Sequence, residues 1–205
     1  MKIRRATLSD VQNVTKIHIA AFPGFFLTSL GKGFLRELYS GFLSHPSGIF
    51  LVAENQGQLI GFAAGTSDPE SYFSELRKQR GIFFLLSAIP AVLRHPLVVV
   101  KKLYGALFYR GDEPADLKNA ALLSSIGVLP EALGAGAGRE LLEKFEEIAF
   151  SHGAQFVYLT TDETGNDRVN AFYRKCGYRE ESRFLQQANR PMLRYVKTPG
   201  TVSQI

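Results

Sequence analysis

Cysteine is almost absent: Cys176 is the only one in 205 residues. That excludes an internal disulfide framework and any zinc or iron–sulfur site built from several thiolates. Histidine is scarce too. His18, His45, His95 and His152 stand at no ligand-pair spacing, so no protein metal site is expected. Long hydrophobic runs are missing. The longest, Ile82 to Leu93, is too short for a bilayer-crossing helix and ends at Arg94 and His95. The opening MKIRRATLSDVQ turns polar at once and has no apolar signal-peptide core. Together these absences predict a reducing, cytoplasmic setting.

Negative charge is absent from one stretch. Arg77, Lys78, Arg80, Arg94, Lys101, Lys102 and Arg110 lie between residues 77 and 110 with no Asp or Glu among them. The formal net charge is +5, so the rest of the chain is net acidic and the basicity belongs to that segment. Its cations alternate with Phe83, Leu86, Ile89, Leu93, Val99 and Leu103. The mixture suits an anionic partner or an anionic membrane surface, or equally a cover for the sheet or a homodimer seam. The apolar interleaving speaks against nucleic acid.

What is present reads as one globular domain of alternating strands and helices, with 45% hydrophobic and 21% charged residues. Lys2–Thr7 alternates like a strand. Ser9 is placed to cap a helix carrying Val11, Val14, Ile17 and Ala21 on one face. Pro23-Gly24 ends it, and a second helix follows over Ser29–Leu43. Ile49–Glu54 and Leu59–Thr66 flank Asn55-Gln56-Gly57-Gln58, a hairpin signal. Ala120–Leu129 reads as a buried strand and Arg139–His152 as a helix closed by Gly153. The strand Gln155–Thr161, the short helix Val169–Lys175 and the strands Arg179–Gln187 and Met192–Lys197 complete the pattern. Between Ser67 and Lys118 lies a segment the alternation does not need. It reads as helices over Pro69–Gln79, Ile82–Arg94 and Pro96–Phe108.

The chemistry concentrates in Leu123–Tyr178. After the strand, Gly134, Gly136 and Gly138 occupy alternate positions directly before a helix. Glycines there let the backbone approach a ligand, and free N–H groups at a helix start form a phosphate cradle. No Gly-Lys-Ser/Thr follows, which excludes the lysine-bearing nucleotide loop. Further on, Asn166, Val169, Phe172-Tyr173 and Gly177-Tyr178 give N-x-x-[small]-x-x-F-Y-x-x-x-G-[aromatic]. With the glycine turn, this resembles the GNAT superfamily of acyl-CoA-dependent N-acetyltransferases. Leu133 stands where that family's Q/R-x-x-G-x-G/A signature has Gln or Arg.

The resemblance implies an α/β (α+β) GNAT fold in a single domain over 1–205. Its core is a central mixed, splayed sheet of about seven strands flanked by helices, with a helical insertion at 67–118 between the third and fourth strands. It implies acetyl-CoA as cosubstrate and no metal. The pyrophosphate falls on Leu133, Gly134, Ala135, Gly136, Ala137, Gly138 and Arg139. The pantetheine pairs like a strand along Ile126, Gly127 and Val128 and takes a hydrogen bond from Asn166, with Phe172 in the same motif. Arg139 and Arg168 face the 3′-phosphate, and Tyr173 is the acid for the departing sulfur.

The strand AALLSSIGV carries no carboxylate to deprotonate the amine, so a water relay through Ser125 is expected, with Asp162 and Glu163 as alternatives. His18 receives no role, and Cys176 is read as packing, because attack in this family is direct. Phe22, Phe25, Phe26 and Leu27 make the acceptor side apolar. The acceptor is expected to be a small amine such as an amino sugar or nucleotide-linked amine. A protein Lys or N-terminus, or a non-catalytic acyl-CoA-binding module, are the alternatives.

Overall fold

The computed structural model of the chain describes residues 1–94, 118–186 and 189–200. Strand β1 spans Lys2–Arg5, and a 3-10 turn, Leu8–Asp10, leads into helix α1, Val11–Ala21. Thr7 caps that turn and Asp10 stands at the cap position of α1, while Ser9, expected as the cap, lies inside the turn. Asp10 reaches back to accept bonds from the Thr7 N–H and hydroxyl, each at 2.8 Å. Arg4 clamps the same carboxylate at 2.7 and 3.0 Å. That clamp holds the Asp10 carboxyl down at about 2, against the opposing effect of burial and with help from Thr7.

A four-residue turn of helix, α2 (Phe26–Ser29), precedes α3 (Gly31–Ser44). The expected hairpin is β2 (Gly48–Asn55) and β3 (Gln58–Thr66). Its two-residue turn has Gln56 at φ 50° and Gly57 at φ 77°, the doubly left-handed geometry that matches strand twist. Helix α4 runs over Pro69–Arg94. The two helices expected at 69–79 and 82–94 are therefore one. Gly81 at the junction weakens a helix without breaking it, and Pro90 removes one backbone donor within it. The helix expected at 96–108 lies outside the described residues. Strand β4 (Ala120–Val128), helix α5 (Ala137–Ser151), strand β5 (Phe156–Asp162), helix α6 (Asp167–Lys175) and strands β6 (Arg179–Gln186) and β7 (Arg190–Lys197) follow.

The seven strands form one mixed sheet in the order β1-β2-β3-β4-β5-β7-β6. One neighbouring pair, β4 with β5, is parallel; the other neighbours are antiparallel. Helices α1 and α3 cover one face through Val14, Ile17, Leu35, Tyr39 and Phe42. Helix α5 covers the other through Leu141, Leu142 and Phe145, joined by Tyr173 and Tyr178. Gly65 shows how closely α5 lies: a Cβ there would sit 2.0 Å from the Leu122 carbonyl oxygen and 2.6 Å from the Phe145 ring. Helix α4 packs on α3, with Phe34 and Phe84 rings 4.9 Å apart.

Candidate active site

The sheet comes apart where its one parallel pair sits. Strand β4 pairs with β5 only over Ala120–Leu122, against Phe156–Tyr158. From Leu123 onward β4 keeps β3 on one side, while the C-terminal half of β5 keeps β7. Between them the backbone edge of β4 is open among the described residues. A register shift between Ala64 and Gly65 leaves Ser124 opposite no residue of β3, so β4 bulges where the split begins. Ser124 is exposed and Ser125 half-buried. Ile126 and Val128 lean toward the α5 face. Gly127 is a packing position: a Cβ would meet Phe62 at 2.9 Å and Phe22 at 3.1 Å.

Beyond β4 the chain turns through Pro130–Ala132 into α5. Gly134 (φ 89°) and Gly136 (φ 85°) are both left-handed, and a Cβ on either would meet nothing within 4 Å. Conformation and an uncovered backbone, not internal packing, are what these glycines supply. Gly136 is the cap of α5 and has no side chain to fill that role. The N–H groups of Ala137, Gly138 and Arg139 have no acceptor among the described residues. They sit at the positive end of a fifteen-residue helix, a ready anion site. Leu133 is exposed and offers no polar group, and Ala135 is exposed beside it. Ala137 is buried, with its N–H at the helix start. Gly138 lies 3.6 Å, from a built Cβ, to the Phe172 ring, which ties α6 to the same turn. Arg139 is exposed and paired with Glu143 at 2.8 Å; Arg168 is exposed.

Tyr173 projects from α6 into a cluster of rings, 5.3 Å from Phe172 and 5.9 Å from both Tyr178 and Tyr195. The hydroxyls of Tyr72 and Tyr178 are sealed without a partner; that of Tyr173 is not sealed. Burial, and secondarily Cys176, pushes the Tyr173 phenol up, so it keeps its proton at neutral pH. Asn166 caps α6, and its Nδ2 donates to Thr161 Oγ1 at 2.7 Å and to the Asp162 carbonyl at 3.3 Å. What Asn166 can still offer a ligand is its amide oxygen. One turn on, Asn170 Nδ2 donates to the same carbonyl at 3.1 Å, and its buried Oδ1 has no partner.

The carboxylates considered as bases are both engaged. Asp162 is gripped by Arg190 through both oxygens, and Glu163 meets Arg183 at 2.7 Å. Arg190 also lies over the Phe25 ring at 5.5 Å. The loop after α1 thus spans the split: Phe22 touches β4 at Gly127, and Phe25 touches Arg190 at the ends of β5 and β7. Cys176 is buried and its thiol is pushed up by burial, which disfavours the nucleophilic thiolate.

His18 and Tyr39, left without a role by sequence reasoning, meet here at 2.6 Å between Nδ1 and Oη. His18 Nε2 is sealed with no partner. An orphan buried polar atom costs about 1–3 kcal/mol, which an apolar residue of similar shape would avoid. The i, i+4 pair Asn166/Asn170 was legible as a helical spacing. The Arg190–Phe25 bridge was not, because 165 residues separate its partners. Among the described residues no cluster could hold a metal ion. Two shallow depressions, about 240 and 290 Å³, lie on β6/β7 and on α5, away from the split.

A mixed sheet parted at its parallel pair, with an uncapped glycine-rich helix start at the parting, is the framework of an acyltransferase. The chain belongs to the acetyltransferase (GNAT) family, whose model matches residues 12–178. A probable N-acetyltransferase HLS1-like from Arabidopsis thaliana is 25% identical over 179 residues, 85% of this chain and 37% of that protein. The chain therefore spans little more than a third of the length of that curated relative. Among solved structures, a ribosomal-protein-alanine N-acetyltransferase from Brucella melitensis superposes with a TM-score of 0.63 at 19% identity, covering 97% of this chain and 99% of that one. An aminoglycoside 6′-N-acetyltransferase complexed with coenzyme A gives 0.60 at 15% identity, with 97% of each chain covered. At these identities the likeness is one of fold.

Proposed function

We propose that the chain transfers an acetyl group from acetyl-CoA to a primary amine by direct attack in a ternary complex. The observation that carries this reading is the uncapped start of α5, with left-handed Gly134 and Gly136 before it, at the end of a β4 edge with no strand beside it. A pyrophosphate suits the free N–H groups of Ala137, Gly138 and Arg139. The pantetheine arm, which carries amides, suits the open edge over Ile126–Val128 as an added strand. Phe172 packs against the turn at Gly138, the Asn166 amide oxygen is left to accept from the arm, and Arg139 and Arg168 are exposed and suit the 3′-phosphate.

The unprotonated amine nitrogen bonds to the thioester carbon, the C–S bond breaks, and the nitrogen passes one proton to water in the cleft. Tyr173, held in its neutral form by burial, donates a hydrogen bond and then a proton to the leaving sulfur and is reprotonated from solvent. Covalent capture on Cys176 is not needed.

The acceptor is a small amine. Phe22, Phe25 and Arg190 bridge the split on the α1 side, which bounds the acceptor space to a cleft instead of leaving the open groove a polypeptide needs. The neighbours named above are, by name, a ribosomal-protein-alanine and an aminoglycoside N-acetyltransferase, so the fold accommodates both kinds of acceptor. A panel of amino sugars, polyamines and peptides, read by thiol release, decides between them. Turnover of small amines and not peptides is the expected result; turnover of peptides alone overturns the small-amine reading.

We also read residues 67–118 as an insertion in a single domain, in a reducing cytoplasmic setting, that docks on anionic membrane. Helix α4 turns Ile82, Phe83, Leu86 and Leu93 outward, each 53% to 79% exposed. No helix among the described residues is long and apolar enough to cross a membrane, but such a face with a cation-only flanking sequence suits a bilayer surface. Sedimentation with phosphatidylserine vesicles but not phosphatidylcholine vesicles is expected. Equal behaviour with both, or a dimer in solution that hides the face, overturns it.

A further inference from the structure

A chain of side chains crosses the mouth of the split on the α1 side. At the fork the last paired residues are Leu122 of β4 and Tyr158 of β5. Gly127 on β4 and Asp162 on β5 come five and four residues later, which places both about 13–17 Å up the strands from the fork. Phe22 packs on Gly127. Phe25 meets the Phe22 ring edge-on, with centroids 5.4 Å apart. Arg190 lies over Phe25, and Asp162 grips Arg190 through both oxygens. The two ends of the chain thus stand on the two strands that part. A molecule entering between them from the α1 side meets these groups first.

Each of the last three members keeps an unused face. Asp162 engages the guanidinium through Nε and Nη2, which fixes its plane and leaves Nη1 without an acceptor among the described residues. A carboxylate has about four lone-pair sites, so Asp162 can still accept beside Arg190. The Arg190 side chain is 41% exposed and that of Asp162 20%, and Phe25 is 43% exposed. The ion pair carries no net charge. It offers a donor and an acceptor side by side, next to a half-exposed aromatic ring.

That combination selects by chemistry. A hydroxyl both donates and accepts, so two neighbouring hydroxyls span the pair, one accepting from Nη1 and the other donating to the carboxylate. The apolar C–H face of a sugar ring suits the Phe25 ring. A polyamine brings N–H groups toward Nη1, which is itself a donor. An anion gains less, because Asp162 already balances the cation.

We propose that Arg190, Asp162 and Phe25 form the acceptor-recognition site, and that the acceptor is a polyhydroxylated amine, an amino sugar. This rests on the amine-acylation reading above and narrows its acceptor from small amines in general. Arg190 and Asp162 determine specificity without touching the reacting atoms: they hold ring hydroxyls at the mouth while the amino group reaches in between β4 and β5.

The test assays the protein with acetyl-CoA and glucosamine, cyclohexylamine or spermidine. Glucosamine and cyclohexylamine each carry one primary amine on a six-membered ring, and only glucosamine carries hydroxyls. Wild-type protein is expected to acetylate glucosamine. Arg190→Met is expected to lower kcat/KM for glucosamine about 12- to 160-fold more than for cyclohexylamine, the worth of a hydrogen bond to a charged group. Intrinsic amine reactivity cancels in that ratio, and so does general damage to the fold, so a purely structural ion pair leaves the ratio unchanged. Arg190→Lys keeps the charge but lacks the planar fork, and is expected to lose the discrimination as well. Equal losses for the two amines, or Arg190→Lys discriminating as wild type does, overturn the proposal. If the Arg190 variants do not fold, the wild-type protein decides alone: turnover of spermidine or cyclohexylamine with none of glucosamine overturns it. A wild-type protein that acetylates no amine sinks the functional reading instead, so the two failures are distinguishable.

Discussion

Replacing Gly136 separates its two roles, shaping the turn and leaving the backbone bare. Its φ of 85° is left-handed, which costs a residue with a side chain about 1–2 kcal/mol. A Cβ would meet nothing within 4 Å, so no clash adds to that strain. For a chain of this length, 1 kcal/mol moves Tm by about 2–4 °C. Gly136→Ala should therefore fold, with Tm lower by about 2–8 °C. Binding should respond far more, because the added carbon projects into the space a diphosphate would occupy over the N–H groups of Ala137 and Gly138. Calorimetric affinity for acetyl-CoA is expected to fall at least tenfold for Gly136→Ala, about 1.4 kcal/mol, and beyond detection for Gly136→Val. Because the chain's own atoms leave that space empty, the binding loss cannot be ascribed to repacking. If Tm falls as stated while affinity stays at the wild-type value, Gly136 serves only the turn and the cradle argument is refuted.

Three more outcomes are expected. Tyr173→Phe should lower kcat by about 10²–10⁴-fold with little change in acetyl-CoA affinity; unchanged kcat in steady-state assays removes Tyr173 as the acid. Cys176→Ala should keep kcat within about twofold, since its buried thiol is pushed toward the neutral form, and a mass-labelled acetyl-Cys176 intermediate would contradict direct attack. The Asp10 carboxyl is lowered from 3.8 to about 2 by Arg4, so its stabilisation is complete above about pH 4 and is lost as pH falls toward 2. That shift corresponds to about 2 kcal/mol. Asp10→Asn should cost that amount in urea unfolding at pH 7 and much less at pH 2; equal losses at both pH values would show that packing, not the ion pair, is at stake.

Elements whose signals are local were legible in the sequence. The hairpin at Gln56-Gly57 appears where turn chemistry put it, and α5 begins at the third glycine's neighbour, Ala137, with Gly153 closing it. The start of α1 was expected at Ser9 but falls at Asp10, after a 3-10 turn capped by Thr7, because Arg4 binds Asp10 from the preceding strand. Two helices merged into α4 because Gly81 is tolerated in a helix held by packing on α3. The glycine turn and the Phe172-Tyr173 pair were visible because both depend on near neighbours. What stayed hidden spans the chain: His18 with Tyr39, Arg190 with Phe25, and Asp162 drawn into an ion pair with Arg190. Composition could not show that the carboxylates after β5 were already paired, nor that a lone histidine met a buried tyrosine on another helix. Contacts between distant elements are set by the sheet's order, which no single segment encodes.

Acetyl transfer to an amine is proposed at the split between β4 and β5. The most direct test incubates the wild-type protein with acetyl-CoA and each amine of the panel, following thiol release and the mass of the amine together. At least one small amine is expected to gain an acetyl group in step with thiol release, while protein without amine releases almost none. Tight acetyl-CoA binding with no acetylated product from any amine or peptide would contradict it and leave an acyl-CoA-binding module in its place.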